Sequence, residues 1–105
     1  MARTKIKSSE HEGEPLIEIR GHWEHGALDD LITAFRKGMA KVRERLFLRT
    51  FDLDYLDSAA MGVIMLNLRE MTRRNAKLVL LQPSLALRNA LRAVKLDGML
   101  EIKDN

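Results

Sequence analysis

Asp57 and Ser58 are the pair in this chain best placed for chemistry. They open the run Asp57-Ser58-Ala59-Ala60-Met61-Gly62, a polar pair followed by small residues where an apolar strand candidate passes into a helical pattern. A helix start carries unpaired backbone N–H groups and the positive end of the helix dipole. A hydroxyl there has two uses. It, or the Asp beside it, can cap the helix by accepting one of those N–H groups. Alternatively it can carry a phosphate, whose charge of about −1.5 to −2 the helix start tolerates while a docked partner meets new charge and bulk.

Other chemistry has less support. His22 and His25 form a His-x-x-His pair with His11 farther off, but a loop pair lacking a third ligand reads as polar surface, and no metal is expected. The chain has no Cys, which excludes disulfides, thiolate metal sites and a cysteine nucleophile. There is no GxxxxGK[ST] loop and no Ser/His/Asp arrangement, so the expectation is a non-enzymatic protein without a cofactor. Trp23, the only Trp, either packs the end of a sheet or anchors a partner. The six Met residues suit core gaps, with Met61 and Met65 adjoining Ser58.

The charge balance of +3 over 105 residues and a pI near 9.5 invite a nucleic-acid reading, which the distribution of charge weakens. Residues 1–20 and 21–57 are balanced, and the excess falls in residues 58–105, with eight Lys and Arg against four Asp and Glu. Those bases are spread over two expected helices with no interleaved aromatics for base stacking, so solvated helix faces account for them. No apolar run approaches the roughly 18 to 20 residues of a membrane span. The N-terminal Met-Ala-Arg-Thr-Lys lacks a signal peptide's apolar stretch, and a cytoplasmic protein is expected.

The elements that position Asp57 and Ser58 follow from periodicity. Thr4 to Ser8 and Pro15 to Arg20 read as antiparallel strands about a polar turn, Ser9 to Glu14. Leu28, Leu31, Ile32, Phe35, Met39 and Val42 share one helical face. Arg45 to Phe51 is a short strand, followed by the acidic stretch Asp52 to Asp57. A second helix runs through Met61, Ile64, Met65, Leu68 and Thr72, with Arg69, Arg73 and Arg74 turned away and Asn75 as a left-handed stop. Lys77 to Gln82 holds the buried run Leu78-Val79-Leu80-Leu81 and ends at Pro83. Ser84 caps a third helix on which Leu87, Ala90, Leu91 and Val94 align, and Met99 to Ile102 adds a last strand. The order β-β-α-β-α-β-α-β predicts one α/β domain over residues 1–105, with a mostly parallel sheet and an antiparallel N-terminal edge strand.

Several of these segments, in order, resemble the STAS domains, the family of anti-sigma factor antagonists. Leu53 to Leu66 is similar to its signature, an apolar strand followed by Asp-Ser-Ser-Gly-Leu-Gly-Val-Leu. Ile17 to Gly21, Asn75 to Leu80, Pro83 to Leu91 and Leu96 to Leu100 resemble the family's second strand, its strand after a Gly-Gly turn, its Ser-Pro helix and its closing Leu-Asp-x-Leu-Phe. Three departures stand out. Ala59 and Ala60 replace Ser and Gly, Asn75-Ala76 replaces the Gly-Gly turn, and Asn105 falls where members commonly add a helix. That last difference leads us to expect apolar surface open to a partner or a second copy.

The resemblance implies partner switching. The unmodified protein binds an anti-sigma factor or related serine kinase, a kinase-like ATPase. That kinase phosphorylates Ser58, which stands at the family's acceptor position after Asp57, and a metal-dependent serine phosphatase reverses the mark. Glu24 approximates an acidic residue beside the family's phosphosite. The expected partner surface is the loop from Asp57 through Ser58, Ala59 and Ala60 to Met61, the helix face with Arg69 and Arg73, and the connection at Trp23 and Glu24. Two other readings use the same residues differently. One is a constitutive STAS-like structural subunit of a membrane transport or stress-signalling assembly, with Ser58 only a cap. The other is a small-ligand or nucleotide site at the loop cluster.

Overall fold

The computed structural model describes residues 3–96 and 100–104. Lys5–His11 (β1) and Glu14–Arg20 (β2) form the expected antiparallel hairpin. The turn is tighter than the polar composition of Ser9 to Glu14 predicts. Both strands run on to Glu12 and Gly13, which alone make the turn with φ of 54° and 78°, the left-handed pair a two-residue hairpin needs. Leu28–Lys41 (α1), Arg45–Arg49 (β3), Ser58–Arg73 (α2), Lys77–Leu81 (β4), Leu85–Ala93 (α3) and Glu101–Lys103 (β5) follow in the expected order. The expected beginning of the last strand at Met99, and Asp97-Gly98 before it, lie outside the described residues.

The five strands lie side by side in sequence order, β1 antiparallel at the edge and β2 to β5 parallel. Sequential right-handed crossovers in one direction put every helix on the same face, and the packing agrees. Ile17, Ile19, Leu46, Leu48, Leu78 and Leu80 form one continuous core with Leu31 and Phe35 of α1, Ile64 and Leu68 of α2, and Leu87 and Leu91 of α3. Each such side chain contributes about 1.5 to 3 kcal/mol by leaving water. Gly38 lets α1 approach closely, since a Cβ there would stand 2.9 Å from Leu46 Cδ1.

Among the described residues the opposite face carries the apolar strip Leu16, Phe47, Val79 and Leu81, with no helix residue in it. In the adjoining register row Glu18 pairs with Arg49, their side chains 3.5 Å apart, and His11 sets its ring edge against Phe47 at 4.6 Å. Long polar side chains lying along apolar surface explain how this face stays dry without a helix.

Helix ends follow the expected chemistry. Ser84 Oγ accepts the Leu87 N–H at 3.1 Å, and Asn75 ends α2 with φ of 61°. Three apolar residues differ from expectation. β3 ends at Arg49, so Phe51 leaves the sheet, and Ile32 and Val94 stand exposed at the margins of their helical faces. Arg74 does not point into solvent alone: it donates to the Met39 carbonyl at 2.8 Å and ties α2 back to α1.

Candidate functional site

Ser58 lies at the C-terminal end of the parallel strands, where residues 21–27 after β2 meet residues 50–57 after β3. The meeting is hydrogen-bonded. Asp54 N–H donates to the Gly21 carbonyl at 3.3 Å, and Trp23 N–H donates to Asp54 Oδ1 at 3.3 Å. His22 Nδ1 lies 2.6 Å from Asp54 Oδ2 and His25 Nδ1 3.2 Å from Asp57 Oδ2. An ionised carboxylate can only accept, so in both pairs the imidazole donates. The N-terminal segment joins through Thr4, whose hydroxyl donates to the His22 carbonyl at 2.5 Å and accepts the Glu24 N–H at 2.7 Å.

At the start of α2 the two candidate caps are told apart. Asp57 is the cap: its backbone is extended, Oδ1 accepts the Ala60 N–H at 2.8 Å, and its carbonyl accepts the Met61 N–H at 3.0 Å. Ser58 is the first helical residue and is exposed. Its hydroxyl is therefore not needed for the cap. The Ala60 N–H is the leading cause holding the Asp57 carboxyl below the ordinary Asp range; burial opposes it, and the side chains of Trp23 and His25 add to it. Asp54 is lowered too, first by the His22 hydrogen bond and further by the Trp23 N–H.

The remaining expected residues separate into surface and interior. Glu24, Arg69 and Arg73 are exposed. Arg73 is half committed, because its guanidinium and that of Arg74 both hold Glu70, whose carboxyl is pulled down to about 2 by them. Arg69 borders a cavity of about 230 Å3 with Met65, Leu68, Thr72 and Leu96. Ala60 and Met61 turn into the core, and Ala59 is half-buried.

Trp23 is the main correction. Its side chain is 2% exposed and belongs to the core, so it cannot insert into a partner. A large apolar ring beside the sheet end gains more from the available core than from water. Among the described residues its indole Nε1 is buried without a hydrogen-bond partner, although it lies near enough to the Asp57 carboxyl to help lower it.

Two exposed aromatics of the facing connection, residues 50–57, take the anchoring place that one reading gave Trp23. Phe51 and Tyr55 are 47% and 49% exposed, and the Arg20 guanidinium lies 5.0 Å over the Phe51 ring. Alternation would have placed Phe51 and Tyr55 on the same side as buried Leu53; residues 50–57 are not a strand, so their exposure was not legible from spacing. Among the described residues no group of three or more His, Asp and Glu side chains is placed to hold a metal ion. Among the same residues no helix is long and apolar enough to cross a membrane.

This geometry has known counterparts. The family model for the STAS domain matches residues 5–105. No curated protein matches the chain. Among solved structures, an anti-sigma factor antagonist from Mycobacterium paratuberculosis superposes with a TM-score of 0.81 at 13% identity, covering 97% of this chain and 86% of that one. The antagonist SpoIIAA in its unphosphorylated form gives 0.71 at 19% identity, covering 93% and 87%. The phosphorylated form of SpoIIAA, described as a Bacillus cell fate determinant, gives 0.75 at 17% identity, covering 93% and 90%. At these identities the shared property is the fold.

Proposed function

The chain belongs to the STAS domain family, and from that premise we propose that it is an anti-sigma factor antagonist switched off by phosphorylation of Ser58. The observation that carries this reading is the division of labour at the start of α2. Asp57 supplies the cap, which leaves the Ser58 hydroxyl exposed and unused by the fold. The phosphorylated and unphosphorylated forms of SpoIIAA support it by fold likeness.

In the unmodified state the surface around Ser58 docks on a serine kinase of the anti-sigma type. Phe51 and Tyr55 are its aromatic anchors, with Glu24, Asp57 and Arg69 at the polar margin. The kinase transfers the γ-phosphoryl group of its ATP to Ser58 Oγ, the hydroxyl proton leaving to the kinase and ADP departing. The new dianion sits at a helix start, so the fold tolerates it. The docked partner must desolvate it against the Asp57 carboxylate, so the complex does not. A metal-dependent serine phosphatase restores the hydroxyl by hydrolysis, releasing inorganic phosphate.

Incubation with ATP and the cognate kinase, followed by intact-mass spectrometry, tests the modification. One added phosphate on the wild type and none on S58A is the expected result. A phosphate that persists on S58A, or none on either protein, refutes Ser58 as acceptor and leaves the constitutive structural subunit as the reading of this surface.

A further inference from the structure

The loops that meet at Ser58 are electrostatically one-sided. Residues 21–27 and 50–57 contain Glu24, Asp52, Asp54 and Asp57 and no Lys or Arg, so His22 and His25 are their only basic side chains. α1 adds Asp29 and Asp30 in its first turn, and residues 58–68 of α2 carry no charged side chain. Arg20 pairs with Asp52 at 3.3 Å and, with Arg3 and Lys5, lines a cleft beside it. With Asp52 paired to Arg20, the carboxylates of these loops without an Arg or Lys partner among the described residues are Glu24, Asp54 and Asp57, and the basic side chains of the loops themselves are the two imidazoles.

The two imidazoles are not equally available. His22 is committed to Asp54 at 2.6 Å, with its ring 6.0 Å from that of Tyr55. His25 is 74% exposed at its side chain and makes the longer contact, 3.2 Å, to Asp57 Oδ2. The cap itself does not depend on it, because the bond from Ala60 uses the other oxygen of Asp57.

We propose that His25 is the counter-cation of phosphorylated Ser58, its imidazole turning from the Asp57 carboxylate to the phosphate on the next residue. The inference rests on the phosphorylation reading of Ser58 given above. A phosphate monoester with a second pKa of about 6 and an imidazole of about 6.5 titrate in one window. Placed together, each favours the charged form of the other. Charge-assisted hydrogen bonds to phosphate are strong, and the imidazolium offsets the repulsion between the new dianion and Asp57. The phosphorylated state therefore gains a local tie that the unmodified state lacks, without disturbing the cap.

The test uses the full chain with phosphoserine at position 58, installed by the kinase or genetically encoded during synthesis. The second route keeps the two proposals separable: if no kinase modifies Ser58, the functional reading fails while the encoded phosphoserine still decides the role of His25. Histidine resonances and the phosphorus resonance are followed by NMR through a pH titration, in wild type and in H25Q. On phosphorylation the His25 midpoint rises by about half a unit or more, and by more than that of His22. In H25Q the second midpoint of the phosphate moves upward by a comparable amount. Either midpoint standing still overturns the proposal. The His25 shift is read in the wild type alone, so that arm does not depend on how H25Q folds and decides the proposal if H25Q does not fold.

Discussion

Glu14 and Asp57 are both carboxylates that accept backbone N–H groups where a loop meets a regular element, and they lie at opposite ends of the parallel strands. Glu14, 8% exposed at the start of β2, accepts three consecutive N–H groups, from Arg43 at 3.0 Å, Glu44 at 2.9 Å and Arg45 at 3.0 Å. Burial acts on it most strongly and would raise its pKa, yet the three donors together hold it below the ordinary Glu range. Asp57 accepts one backbone N–H and turns its second oxygen to the exposed ring of His25, with an exposed hydroxyl on the next residue. Enclosure by backbone donors makes the first a fixed anchor of the α1–β3 connection. Partial enclosure makes the second a cap with room beside it for modification.

Substitutions grade this contrast. E14A strands three part-buried N–H groups and should lower stability by about 3 kcal/mol, measured by urea unfolding. A loss no larger than that of a simple cap would erase the distinction between the two ends. D57A should cost about 1 kcal/mol, the usual value of a helix cap.

Acid sharpens the comparison. Both carboxyls have lowered folded-state pKa values, so each contributes stability present above the unfolded carboxyl pKa and lost as pH falls through the folded one. The difference in stability between wild type and E14A, and that between wild type and D57A, should therefore both shrink on acidification. A gap for E14A that is constant with pH would show that the charge of Glu14 does not contribute. S58A should be the smallest change, within about 0.5 kcal/mol of wild type, because the hydroxyl caps nothing. A loss of a full cap's worth would mean that Ser58 and Asp57 share the role.

What could be read from the residues was what short-range rules govern. Periodicity located all three helices, the continuous run Leu78 to Leu81 marked a strand covered on both faces, and Asn75 and Ser84 marked helix ends through their own backbone chemistry. The site was legible only as a position. That Asp57 caps and Ser58 does not depends on which side chain the extended turn aims at the Ala60 N–H, a choice between neighbours that spacing leaves open. Of the two readings of Trp23, packing against the sheet end was right and the partner anchor was not, because burial in a connection is decided by the core that α1, α2 and the strands close around it. The ties of His22 to Asp54, His25 to Asp57 and Glu14 to residues 43–45 join positions about thirty apart, and only the assembled sheet brings them together.

The central claim is that Ser58 is a switch placed on a fold that does not need its hydroxyl. Its most direct test is calorimetric titration of the anti-sigma-type kinase with the protein carrying serine or phosphoserine at position 58, all else equal. The account predicts that the phosphorylated protein binds at least about 100-fold more weakly, while its thermal unfolding stays close to that of the unmodified form. Equal affinity of the two forms would contradict it.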